Sequence, residues 1–431
     1  MPDPTTVPDP TTVPDPTTVP DPATVPDPAT LTLLVTVSGD DRPGVTSTLF
    51  DAIADVGAEV LDLEQVVVRG HLTLALLLSA GPRDSRLREV VVSVGTALGM
   101  TVTVASGSGD NAPRRGGRAA VVVLGAPLLA SAIAAVTARI AAHGANIDRI
   151  RRLSRYPVTT VELDISGADI AALRTELSLE AAVRGVDIAV SPAGLARRGR
   201  RLVVMDVDST LIQDEVIDLL ARHAGSEAEV AEVTAAAMRG DLDFADSLRA
   251  RVATLAGLPV SVLDEVRTAI RLTPGARTLV RTLKRLGFSV AVVSGGFIEI
   301  VGPLAAELGI DHAHANRLGV SEGFLTGTLV GEIVDRKGKS EALRRFAAAE
   351  HLPLSRTVAI GDGANDLDML AVAGLGVAFN AKPVVREQAD TAVNVPYLDA
   401  VLYLLGISRE EIEDADKADG TPTPAPQLPG Y

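Results

Sequence analysis

The chain has no cysteine and no tryptophan, 7 phenylalanines, 4 tyrosines, and fewer basic than acidic side chains. Without cysteine there is neither a disulfide framework nor a thiolate metal site, which fits a reducing compartment. With aromatics at 3% and a net charge of −15, the stacking platforms and basic stripes of a nucleic-acid groove are missing, so no nucleic-acid partner is expected. No stretch approaches the roughly 18 uninterrupted apolar residues of a membrane span, and the N-terminus lacks the basic region and apolar core of a secretory signal. The expectation is a soluble, cytoplasmic protein with no membrane partner.

What is present is length and pattern. A chain of 431 residues has room for about two to four domains. Residues 2–31 are five near-copies of Pro-Asp-Pro-Thr-Thr-Val, with Ala replacing one Thr in the later copies. Frequent proline removes backbone donors, and each unit is too poor in apolar groups to bury a core, so residues 1–30 are expected to form a disordered arm. The segment 411–431, rich in Asp, Pro and Thr, is expected to be a disordered tail.

Between these ends the hydrophobic period switches repeatedly between two and 3.6. Residues 31–38 read as a strand, 43–56 as a helix, 59–69 and 71–79 as strands, 83–98 as a helix and 101–105 as a strand. This is a βαββαβ order, the ferredoxin-like α+β module, over 31–106. After a Gly/Ser/Arg-rich linker the order recurs over 118–192, with strands at 119–124, 147–154, 159–165 and 187–191 and helices at 127–143 and 169–184. Arginines at 197, 198, 200 and 201 mark a solvated linker to a third region, 200–410.

That region opens on an apolar run, Leu202-Val203-Val204, followed by Met205-Asp206-Val207-Asp208-Ser209-Thr210-Leu211. Side chains alternate along a strand, so Asp206 and Asp208 emerge on one face at its carboxyl end, where open parallel sheets place their ligands. One carboxylate can attack phosphorus while the other exchanges a proton with the leaving oxygen, given cations to offset the repulsion between anions. Residues from about 215 to 270 read as helical, with breaks at Gly225, Gly240 and Gly257-Leu258-Pro259, and form a candidate cap over the site. A second strand, 289–293, ends in Ser294-Gly295-Gly296, a hydroxyl and flexible backbone suited to phosphate. A third, 356–360, ends in Gly361-Asp362-Gly363-Ala364-Asn365-Asp366-Leu367-Asp368, whose oxygens suit a hard cation such as magnesium.

Two resemblances attach to these residues. The turn Gly39-Asp40-Asp41-Arg42-Pro43-Gly44-Val45 resembles the opening of ACT domains, small βαββαβ modules that commonly bind amino acids at domain interfaces, which makes Gly39, Asp41 and Gly44 candidates for a regulatory ligand. The second module, with Leu124-Gly125-Ala126-Pro127, lacks the Asp and the Pro-Gly pair, so a ligand is less expected there. The D-x-D-x-T motif, the strand-ending Ser, a Lys and G-D-x-x-N-D, in that order, resemble the haloacid dehalogenase superfamily of phosphohydrolases over about 200–405. The resemblance implies an α/β doubly wound parallel sheet with a helical cap. It makes Asp206 the nucleophile that forms an aspartyl-phosphate and Asp208 the general acid and base. Mg²⁺ would be held by side chains of Asp206 and Asp362 and by the backbone carbonyl of Asp208, with Asp366 in support. Ser294, Gly295 and Asn365 would hold the phosphate or orient its neighbours. For the lysine, the spacing back from Asp362 that is typical of the family implies Lys339, with Lys337 as the alternative.

Within the superfamily, residues 206–215 and 238–252 are similar to phosphoserine phosphatases. That resemblance implies Glu215 on the substrate ammonium, Arg251 on its carboxylate and Phe244 in the closing cap. It implies hydrolysis of O-phospho-L-serine, the last step of serine synthesis, and the two ACT-like modules imply serine as effector and a homodimer. Two rivals remain: a phosphatase or phosphotransferase acting on another small phosphorylated acid, and an amino-acid-sensing regulatory protein with a silent catalytic domain.

Overall fold

The structure, a computed structural model, describes residues 31–424 apart from 80, 82–83, 109–115, 156–157, 195–196, 198 and 240–241. The repeat arm, most of the first linker and the last residues of the expected tail lie outside the described residues. The chain divides into two compact units, 1–114 and 115–431.

The first unit runs β1 (Leu31–Asp40), α1 (Val45–Val56), β2 (Glu59–Val68), β3 (His71–Ser79), α2 (Asp84–Ala97) and β4 (Thr101–Ser108). Its antiparallel sheet has the order β2-β3-β1-β4. Leu33, Val35 and Val37 of β1 and Leu72, Leu74, Leu76 and Leu78 of β3 are buried at every second position. Val45, Leu49, Ile53 and Val56 of α1 meet them at helical spacing. Gly44 precedes α1 at φ 95°, a left-handed conformation that favours glycine, and a side chain there would meet open space. Gly39 has a different reason to be glycine, because a Cβ would lie 2.6 Å from the sulfur of Met100. Its bareness serves packing inside the module.

The second unit begins with β5 (Ala119–Gly125), α3 (Ala130–Ala142), β6 (Asn146–Ser154), β7 (Thr159–Ser166), α4 (Ile170–Arg184) and β8 (Asp187–Pro192), ordered β6-β7-β5-β8. Every residue of β5 is buried. Ala119, Val121 and Val123 pack among the helices of this module, while Val122 and Leu124 belong to the core of the region that follows. An antiparallel sheet with both faces covered has lost its solvent side, and so β5 reads as a continuous apolar run.

That following region has β9 (Leu202–Met205), four cap helices α5 (Val216–Ala224), α6 (Glu227–Arg239), α7 (Phe244–Ala253) and α8 (Val262–Ala269), and then α9 (Ala276–Arg285), β10 (Ser289–Phe297) and α10 (Ile298–Leu308). It continues through the hairpin β11 (His312–Ser321) and β12 (Phe324–Val330), α11 (Arg336–Ala349), β13 (Thr357–Gly361), α12 (Leu367–Val372), β14 (Leu375–Phe379), α13 (Pro383–Arg386), β15 (Thr391–Val393), α14 (Val401–Leu404) and α15 (Arg409–Ala418). The seven-stranded sheet is ordered β12-β11-β10-β9-β13-β14-β15, parallel except for β12 at one edge. From β9 the chain first builds β10 and β11 on one side and later β13 on the other. The topological switch point therefore lies between β9 and β13, the place where such sheets bind ligands.

One expectation fails in this region. Residues 409–418, partly within the predicted tail, form α15, opened by a capping box in which Ser408 and Glu411 satisfy each other's backbone N–H groups. Ile412 is buried, and Asp416, fully buried, pairs with Arg281 and Arg285 of α9. The acidic composition that reads as solvated is here consumed by arginines of another helix.

Candidate active site

The site is assembled at the carboxyl ends of β9, β10 and β13. Asp206 follows β9 directly, and its amide donates to Ile360 O of β13 at 2.9 Å, closing the switch point. An irregular turn, Val207–Leu211, then reverses the chain with Ser209 at φ 56°. Non-glycine residues rarely take this conformation, and it cannot persist without support. Here the Ser209 hydroxyl donates to Glu215 Oε1 at 2.8 Å.

The two aspartates of the motif have separate surroundings. Asp206 Oδ2 lies 2.7 Å from Lys339 Nζ, and the same ammonium lies 2.7 Å from Asp366 Oδ1. Lys339 is wholly buried, whereas Lys337 is exposed and pairs with Glu341. The lysine brought into the site is therefore Lys339. Asp208 accepts from the Val216 amide at the start of α5 at 2.8 Å and from the Ser294 hydroxyl at 2.9 Å. Ser294 in turn accepts from Gly296 N at 2.7 Å. A Cβ at Gly296 would stand 3.0 Å from both Asp208 Oδ2 and Ser294 Oγ, and one at Gly295 would stand 3.3 Å from the ring of Phe244. The paired glycines let strand and cap approach this closely.

Asp362 follows β13 directly and accepts from the Thr210 hydroxyl at 2.9 Å, while Asp366 accepts from Gly363 N at 3.0 Å. Ligand oxygens of Asp206, Asp362 and Asp366 all lie within 4.8 Å of one another. Four carboxylates thus gather around one ammonium, and the electrostatic cost shows in the proton affinities of Asp206, Asp208 and Asp362. Burial, then repulsion from Asp366, pushes the Asp206 carboxyl well above the usual range. Burial also raises Asp208, and burial with Asp366 raises Asp362 to about 6. Burial disfavours the ammonium of Lys339, but Asp206 and Asp366 outweigh it and hold the side chain charged. Excess negative charge, oxygen-only donors and close spacing fit a hard divalent cation at Asp206 and Asp362.

These groups open into a cavity of about 440 Å³. Of the residues expected from the sequence, Asp206, Asp208, Glu215, Phe244, Arg251, Gly295, Asp362 and Asn365 line it. Ser294, Lys339 and Asp366 are buried behind the lining and reach it through the bonds just described. Burial, then Asp208, raises the Glu215 carboxyl to about 7. Arg251 donates from Nε to Ser247 O at 3.3 Å, and burial lowers its pKa against the opposing pull of Glu215 and Asp218. The cap thus contributes one anion, just before α5, and one cation, on α7, to the same cavity.

Sequence reasoning passed over Thr210 and Lys382. Thr210 lies inside the D-x-D-x-T motif, and only its contact with Asp362 distinguishes it from a solvated hydroxyl. Lys382, exposed at the mouth of the cavity, sits in an ordinary Lys-Pro turn with no periodic signal.

Comparison with known proteins agrees with this arrangement. Residues 203–371 match the haloacid dehalogenase-like hydrolase family, and residues 31–105 and 118–191 each match an ACT domain family. The chain is 63% identical over 387 residues to a phosphoserine phosphatase of Streptomyces coelicolor, covering 89% of this chain and 94% of that one. It is 51% identical over 395 residues to phosphoserine phosphatase SerB2 of Mycobacterium tuberculosis, covering 90% and 96%. Among solved structures, a probable phosphoserine phosphatase from Vibrio cholerae superposes with a TM-score of 0.53 at 34% identity, over 69% of this chain and 88% of that one. A phosphohydrolase core at the switch point, a helical cap and two preceding ACT domains, matched along nearly the full length of these relatives, identify a phosphoric monoester hydrolase: the chain belongs to the phosphoserine phosphatase family of haloacid dehalogenase-like hydrolases.

Proposed function

We propose that the chain hydrolyses O-phospho-L-serine to L-serine and phosphate with Mg²⁺, as the last step of serine synthesis in the cytoplasm. The observation that carries the substrate is the convergence of Glu215 and Arg251 on the cavity that holds Asp206 and Asp208. An amino acid offers one ammonium and one carboxylate, and arginine binds carboxylates through two parallel N–H groups. Phe244, against Gly295, closes the cap over the bound molecule and excludes water.

Asp206 attacks the phosphorus and the P–O bond to the serine oxygen breaks, while Asp208 delivers a proton to that oxygen. Water then attacks the aspartyl-phosphate, Asp208 takes its proton, and the bond to Asp206 breaks to release phosphate. Lys339 keeps Asp206 oriented and offsets its charge, and Ser294, Gly295 and Asn365 hold the phosphate oxygens. Asp206, Asp362 and the backbone carbonyl of Asp208 would hold Mg²⁺, which would supply the positive charge that an anion needs to approach a phosphate dianion.

The test is phosphate release from phosphoserine, phosphothreonine and phosphoglycolate, with magnesium, with chelator and with acceptor alcohols. Phosphoserine is expected to be turned over best, and chelator to abolish turnover. A preference for phosphoglycolate, or transfer to an alcohol exceeding hydrolysis, sinks this reading. Serine is the expected effector and a homodimer the expected assembly, supported by the ACT matches and by the exposed Leu63, Val66 and Val68 of β2. Millimolar serine is expected to change turnover or oligomer size, and no change in either removes the regulatory part.

A further inference from the structure

We infer that Asn316 is a positioning residue that holds the Ser294-Gly295-Gly296 loop and the Lys339 helix in one register; this rests on the reading of that loop as the phosphate site. In the parallel ladder between β10 and β11, Ser294 faces Ala315 but Phe297 faces Asn316. Gly295 and Gly296 are therefore extra residues with no opposite number, a bulge of the kind that aims backbone into active sites. A bulge leaves ladder groups unpaired, and a buried unpaired carbonyl is costly.

The side chain of Asn316 replaces the missing ladder bond. Its Nδ2 donates to Gly295 O at 2.8 Å, and its Oδ1 accepts from Val334 N at 2.8 Å. The amide orientation follows from the partners, since a carbonyl can only accept and a backbone N–H can only donate. Asn316 is 2% exposed, so water does not compete for either bond. Val334 immediately precedes Asp335, whose carboxylate caps α11 at Gly338 N and whose carbonyl accepts from Lys339 N at 2.9 Å. One amide thus ties the hydroxyl and backbone expected to grip phosphate to the helix carrying the ammonium beside Asp206. Neither aspartate nor leucine, both close in shape, can do this, because an ionised aspartate lacks the donor and leucine lacks donor and acceptor.

The experiment compares Asn316→Asp and Asn316→Leu with the wild-type full chain. The readouts are kcat and KM on phosphoserine and on p-nitrophenyl phosphate, the inhibition constant of inorganic phosphate, and thermal melting. Asn316→Asp keeps the acceptor for Val334 and loses the donor to Gly295, so KM and the phosphate inhibition constant are expected to rise about tenfold. Asn316→Leu loses both bonds and is expected to lower kcat as well, because the Lys339 helix is also untied. If both variants keep wild-type KM and phosphate inhibition, with only a lower melting temperature or yield, Asn316 is merely structural and the inference is overturned. KM and inhibition constants are read on the folded fraction, so poor folding cannot imitate the expected result. Should the wild type cleave the aryl phosphate but not phosphoserine, the substrate reading fails while the Asn316 comparison still stands.

Discussion

Asp206 and Asp208 are two residues apart and chemically identical, yet the site gives them different work. Asp206 is in direct contact with an ammonium, whereas Asp208 is held by a backbone amide and a hydroxyl. Asp206→Asn is expected to lower kcat by about a thousandfold or more and to abolish trapping of a beryllofluoride phosphoenzyme analogue, with Tm showing that the fold survives. Glu215 titrates at about 7 and must be ionised to receive an ammonium. Protonation below that pH neutralises it, so kcat/KM for an amino-acid phosphomonoester is expected to fall as the pH drops through this range. Glu215→Gln is expected to raise KM at least about tenfold and to flatten that acid limb. An unaltered limb in the variant assigns the titration to another group.

At the scale of elements, the bulge at the end of β10 and the helix α15 have different sequence signatures. Ser-Gly-Gly after an apolar run announces a turn, but its use as a close-packed bulge against Asp208 requires the neighbouring strand. Gly296→Ala places a methyl 3.0 Å from Asp208 Oδ2 and Ser294 Oγ, and turnover is expected to fall about tenfold with little change in Tm. Helix α15 is held by Asp416, whose carboxyl the guanidinium groups of Arg281 and Arg285 keep far below its ordinary range against the cost of burial. An acid depressed in the folded state stabilises above its unfolded pKa, so this contribution is complete above about pH 4 and is lost as the pH falls further. Asp416→Asn is expected to cost about 1–3 kcal/mol at pH 7 in a denaturant titration, and the difference from wild type should shrink in acid.

For the whole molecule, the second ACT domain shares a core with the catalytic region. Glu162, 1% exposed, pairs with Arg151 of β6 and with Arg197 of the linker, and Asp187 accepts two bonds from Asn394 beyond β15. Thr391 of β15 donates to Ile188 O of β8 at 2.7 Å. Removing Glu162 leaves the mostly buried Arg197 guanidinium without its carboxylate, so Glu162→Ala is expected to lower Tm by several degrees through loss of about 1–3 kcal/mol, while KM stays near wild type. A chain lacking residues 1–114 is expected to keep kcat and KM, because the first ACT domain lies in the other compact unit. Loss of turnover in that truncation overturns the expectation.

The sequence alone determined the βαββαβ pair and the addresses of Asp206, Ser294 and Asp362 at the ends of apolar runs. These follow from local rules, periods of two and 3.6 and turns after apolar runs, which need no knowledge of distant neighbours. Tertiary structure decided what depends on partners far along the chain: Lys339 rather than Lys337 beside Asp206, Met100 as the reason for Gly39, Arg281 and Arg285 as the anchor of an acidic C-terminal helix, and Asn316 in the bulge of β10. A buried charge or amide is stable only with its partner in place, and those partners meet only when the chain has folded.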